Sequence, residues 1–85
     1  MAEITFEIVK SLGVLSTSHT GWTKEVNLVS WNGREAKYDI REWSPDHQKM
    51  TKGITLTETE RRALEEALAR ESEEEADLRQ NNDIL

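Results

Sequence analysis

The stretch Ala36–Leu56, AKYDIREWSPDHQKMTKGITL, decides how the rest of the chain is read. In its first half Lys37, Asp39, Arg41 and Trp43 fall at alternate positions, with Tyr38, Ile40 and Glu42 between them. Successive side chains of a β-strand point to opposite faces. The run is therefore expected to be a strand with one cationic and aromatic face, its Tyr38 and Ile40 turned the other way into a core. Asp39 shares that face with Arg41 and can orient it by pairing. Ser44-Pro45-Asp46 then opens a turn, with Pro45 where its fixed φ is useful. Lys49 and Lys52 follow, and Gly53–Leu56 reads as a short fourth strand. Cations for phosphates and a flat ring for bases are what a surface needs to hold single-stranded nucleic acid. Ordinary surface charges on a half-exposed strand give the same alternation.

Upstream, Ile4–Val9 alternates as a strand, and Gly13 is expected at a bulge or bend, after which Val14–Thr17 continues or restarts it. Ser16–Gly21 reads as a loop. Trp22–Trp31 is rich in β-formers, and Asn32-Gly33 is a strong hairpin signal joining it to Glu35–Trp43. Within this second strand Val26 and Leu28 fall on one face, and Asn27, Val29 and Trp31 on the other. Apolar groups on both faces mean cover on both sides, so Trp31 is either a binding ring or a structural one. Downstream, Thr57 and Glu60 have the spacing of a capping box, and helix formers run from Glu58 to about Ser72. Ala63, Leu64, Ala67 and Leu68 share one narrow face of that helix. Such a stripe cannot cover a four-stranded sheet alone, which points to a partner subunit.

Eighty-five residues make one small domain, without Cys for a disulfide or a thiolate metal site and with only two His. No stretch has transmembrane length and no leader is evident, so a cytoplasmic protein is expected. The formal charge of −6 is unevenly spread. Residues 1–56 carry seven basic and seven acidic groups, whereas residues 57–85 carry four against ten. A binding domain over 1–72 and an acidic, disordered tail over 73–85 are the expected divisions. The tail solubilises the protein, competes with nucleic acid for a cationic channel, or offers a small hook to partner proteins.

Several runs together resemble the positive cofactor 4 family of transcriptional coactivators. They are Asp39-Ile40-Arg41-Glu42 with its following aromatic, Lys52-Gly53-Ile54-Thr55-Leu56, and the upstream Gly21–Glu25 and Asn27–Gly33. The upstream runs are similar to its compact bacterial YdbC-type branch in particular, and the likeness spans about residues 4–70. It implies an α+β fold: a curved four-stranded antiparallel sheet and one C-terminal helix that pairs with the helix of a second subunit. It also implies channels in which Lys and Arg neutralise phosphates and aromatics stack on bases. The family tends to place two aromatics after Arg-Glu, whereas here Trp43 is followed by Ser44. Trp43 is thus either the stacking ring or a core residue at the strand end.

On these grounds the expected nucleic-acid contacts are Trp22, Lys24, Asn27, Lys37, Arg41, Trp43, Lys49 and Lys52, and the expected dimer contacts are Leu64, Ala67 and Leu68. Lys24-Glu25 equally suits a surface ion pair, and Arg34 suits a solvated turn. No nucleophile, base and orienting carboxylate stand in a catalytic pattern, and His19 and His47 fall in polar loops expected to be exposed. No cofactor or metal is expected, and the protein reads as a non-enzyme. The leading reading is a homodimer binding single-stranded DNA, with RNA as a variant, with little sequence preference and no membrane partner, in transcription, replication or repair. The rival is a protein-interaction or coactivator module that recruits transcription or replication proteins.

Overall fold

The computed structural model describes the backbone of residues 4–83 and the side chains of residues 4–76. Four strands, β1 (Phe6–Thr17), β2 (Thr23–Trp31), β3 (Lys37–Trp43) and β4 (Ile54–Leu56), form one antiparallel sheet in the order β1-β2-β3-β4. One helix, α1 (Glu58–Asp83), follows. This is the expected β-β-β-β-α architecture. The Asn32-Gly33 hairpin forms as read: both residues have positive φ (53° and 74°), and Arg34 N–H donates to the Trp31 carbonyl at 3.0 Å. Asn32 also ties the turn to the start of the first strand, since its Oδ1 accepts from Thr5 N–H at 2.9 Å.

The first strand continues past Gly13, one of the two courses expected, with its bulges beside that residue and not at it. It runs unbroken to Thr17, and the register slips between Ile8 and Lys10, Ser11 and Gly13, and Val14 and Ser16. Val9, Leu12 and Leu15 are the extra residues, while Gly13 itself pairs with Val26. Extra residues at three-residue intervals bend a strand and increase its twist. The edge therefore curls instead of ending.

The two faces of β3 are covered otherwise than the sequence reading expects. Asp39 and Trp43 are fully buried on the face expected to be open, beside Asn27 and Val29 of β2, for which cover on both sides is expected. Tyr38 and Ile40, expected in a core, are only half-buried. The cause is the connection between β3 and β4, which folds back over the Trp43 side. Trp43 bridges to Met50, and Ser44 N–H and Thr51 N–H bond back to Lys49 and Glu42 carbonyls. Phe6 packs on the same side, its ring centroid 5.1 Å from Trp43 and 6.0 Å from Trp31. Alternation sorts residues between faces but does not say which face is covered.

A buried polar group anchors this connection. Glu25 accepts hydrogen bonds from the Thr23 hydroxyl and from Asn27 Nδ2, and its Oε2 lies 2.7 Å from His47 Nε2. His47 sits at φ 57° and stacks on Trp43 with centroids 5.8 Å apart. It is therefore a half-buried clasp, not the exposed loop residue expected. Glu25 does not pair with Lys24, whose side chain leaves from the opposite face of β2. Burial pushes the Glu25 carboxyl up, but hydrogen bonds from Thr23, Asn27 and His47, together with the His47 charge, outweigh it and hold it below the ordinary value of 4.5.

The helix begins at a formed capping box: Glu60 N–H donates to the Thr57 hydroxyl at 3.2 Å and Thr57 N–H to Glu60 Oε1 at 2.9 Å. It continues past Ser72 to Asp83, because this stretch has neither Gly nor Pro and is dominated by Glu, Ala, Leu and Arg. Twenty-six residues make a rod of about 39 Å. Among the described residues it touches only β3 and β4, with Arg61 over the Tyr38 ring at 5.4 Å. The radius of gyration is consequently 17.2 Å, against about 12 Å for a compact chain of this length. No helix is long and apolar enough to cross a membrane, among the described residues.

Two stability outcomes follow from this packing. A Cβ at Gly53 would lie 2.4 Å from the Ile40 carbonyl oxygen and 2.4 Å from Arg41 Cβ. Gly53→Ala should therefore cost about 1–3 kcal/mol by urea denaturation, since the backbone of β3 cannot yield; a change under about 0.5 kcal/mol would contradict the close approach. Glu25 should make the fold acid-sensitive. Its folded-state carboxyl titrates below the unfolded one, so its contribution is present above pH 4.5 and is lost as pH falls through the folded value. Wild type should lose more stability than Glu25→Gln between about pH 5 and 3; equal losses would remove this role.

Candidate nucleic-acid interface

Arg41 is the hub of the covered face. Its Nε and Nη2 each donate to an oxygen of Asp39 at 2.6 Å, a two-point pairing with a carboxylate that is fully buried. Nη1 donates to the Thr51 carbonyl at 3.3 Å and approaches the Met50 sulfur at 3.7 Å. The guanidinium carbon lies 4.5 Å from the centroid of the Trp31 ring. The pairing of Asp39 with Arg41 expected from sequence is thus formed, and it is joined by an aromatic that sequence left open. Register alone does not bring them together, since Arg41 lies opposite Glu25 and Trp31 lies beyond the Val29–Lys37 pair. The long Arg41 side chain reaches back along its strand toward Asp39 and meets the indole there.

Beside this cluster the face opens into a shallow hollow of about 640 Å³. Phe6, Trp31, Arg41, Met50, Thr51 and Lys52 are among its lining residues. It places aromatic rings, a thioether, a guanidinium held by Asp39 and an exposed ammonium around one concavity. Arg41 is the partly covered member, its side chain 12% exposed, whereas Lys52 is exposed. Such a combination suits a flat heterocycle attached to a phosphate.

The expected contact residues divide between the two faces and the core. Lys37, Lys49 and Lys52 are exposed on the Trp31 side or in its covering connection. Lys24 is exposed on the opposite face, beside Val26. Trp22 lies half-buried in the turn before β2, where its N–H donates to the Ser18 hydroxyl at 3.2 Å. Asn27 is fully buried and donates to Glu25 at 3.1 Å. Trp43 is fully buried beside Phe6 and His47, the position of a core residue at the strand end. Phe6, Met50 and Thr51 were not singled out by sequence. Only the even spacing of Trp31 from Val29 and Asn27 carried a hint that Trp31 belongs to this face.

The opposite face carries a different chemistry. Val26, Leu28, Tyr38, Ile40 and Leu56 are half-buried there, and Ile54 is 55% exposed. On α1, Leu64 is 40% and Leu68 60% exposed, and Ala67 is exposed. The helix therefore leaves the apolar face of the sheet incompletely covered.

Comparison with known proteins agrees with this architecture. Residues 18–67 match the family model described as Transcriptional Coactivator p15 (PC4). The matched span contains β2, β3, β4 and the start of α1, and so every element of the Asp39–Arg41–Trp31 cluster. An uncharacterized protein of Treponema pallidum (strain Nichols) is 54% identical over 63 residues, which is 74% of each chain. The match over more than half its length assigns this chain to the transcriptional coactivator p15 (PC4) family.

Proposed function

We propose that the protein binds single-stranded DNA as a homodimer, with little sequence preference, through the hollow beside Trp31. The observation that carries this reading is the joining of Trp31, Arg41 and Lys52 around one concavity. A ring accepts any base by stacking, and Lys52, Lys37 and Lys49 supply exposed cations for the phosphates on either side. The local field matters more than the total charge of −6, because the acidic excess lies in residues 57–85. Residues 1–72 form the binding unit and the acidic 73–85 segment lies outside it. A continuous helix to Asp83 leads that segment away from its own sheet, which favours a solubilising role over competition within one protomer. Family membership supports DNA binding and a coactivator-like role.

Dimerisation is supported by exposed area. The chain exposes 6928 Å², against about 5,200 Å² for a compact monomer of its mass. The excess is of the order that one subunit buries in a permanent dimer. The open side of the sheet with Leu64, Ala67 and Leu68 is the surface we assign to the second copy. A partner there would cover Val26, Leu28, Tyr38 and Ile40 and leave the Trp31 side free.

Lys37→Ala and Lys52→Ala should each weaken oligothymidylate binding and flatten the plot of log affinity against log salt by about 0.7 for each phosphate no longer neutralised. Unchanged slopes in both variants would place the strand elsewhere. Leu64→Glu with Leu68→Glu should convert the dimer to a monomer in sedimentation velocity, whereas a dimer that persists would reject the assigned interface.

A further inference from the structure

The reading of the hollow as a strand-binding site leaves open how Arg41 contributes. We infer that Arg41 acts there as a positioning residue for Trp31, held by Asp39, and not as a contact to phosphate. A guanidinium has five N–H donors in one plane. Nε and Nη2 are committed to Asp39, and Nη1 to the Thr51 carbonyl and the Met50 sulfur. One N–H is left for a new acceptor, too few for the two-point grip that makes Arg a strong phosphate ligand. Turning the group toward a phosphate would strip a fully buried Asp39 of its counter-charge, a costly exchange in a covered site.

The surroundings fix the group on its flanks as well as its edge. Gly53 packs so closely that a Cβ there would stand 3.1 Å from Arg41 Nε, and Trp31 lies over the guanidinium at 4.5 Å. Arg41 is thus a fixed support against one side of an indole that also lines the hollow. The support restrains the ring before a base arrives, so less freedom is lost on stacking. Asp39 and Gly53 belong to the same device at one remove. The salt-dependent part of binding then falls to the exposed lysines, and Arg41 contributes through stacking.

The test is a double-mutant cycle between Arg41→Lys and Trp31→Ala, read by oligothymidylate affinity across salt. Lys keeps the charge but loses the flat, two-point geometry. Trp31→Ala should cost about 5- to 150-fold, the worth of one base stack. Arg41→Lys should cost a fraction of this with an unchanged salt slope, and less than about twofold further in the Trp31→Ala background. Additive losses, or a slope flattened by about 0.7 in Arg41→Lys, would make Arg41 a phosphate contact and overturn the inference. Failure of the wild-type protein to bind any single strand would overturn the parent reading along with it. Should Arg41→Lys not fold, the wild-type protein still decides. Its Arg41 Nε–H signal should keep the Asp39-paired position when oligothymidylate is added, and disruption of that pairing would overturn the inference.

Discussion

The two-point bond between Arg41 and Asp39 is the interaction on which the functional face depends. Both residues stand at alternate positions of β3, so the strand alone sets their spacing. Burial removes water from the carboxylate, which makes an unpaired state costly and the paired geometry rigid. Trp31 rests on the guanidinium, Thr51 is tied to it through its carbonyl, and Gly53 is required where the fourth strand passes it. Three separate parts of the chain are thereby held to one planar group. All three line or border the hollow.

A second constraint comes from the opposite side. One 26-residue helix that, among the described residues, touches only β3 and β4 cannot seal a four-stranded sheet. Small domains bury too little surface to tolerate such an opening easily. Within the proposed dimer the apolar side serves assembly and the Trp31 side serves the ligand.

Much of the fold is legible in the sequence because its signals are local. Asn32-Gly33 has the positive φ values that its turn demands, and Thr57 and Glu60 form the reciprocal cap that their spacing implies. The bent first strand is less legible. Val9, Leu12 and Leu15 are ordinary β-formers, and nothing local distinguishes a bulge from a regular pair. Which face is covered was not legible at all, since it depends on the 44–53 connection folding back and on Phe6 meeting Trp43 across the sheet. For the site, Lys37, Lys49 and Lys52 could be picked out as cations and the Asp39–Arg41 pair could be read from β3. Trp43 and Trp31 could not be told apart, because both are strand-end tryptophans on the same face. His47 likewise looks like a loop residue until Glu25 and Trp43 are seen beside it.

The central claim is that one face of this sheet holds a single nucleic-acid strand. Fluorescence anisotropy with labelled single-stranded and duplex oligonucleotides of equal length, titrated across salt, tests it most directly. The account predicts salt-dependent binding of the single strand and far weaker binding of the duplex. Equal affinity for both forms, or no binding even at low salt, would contradict it.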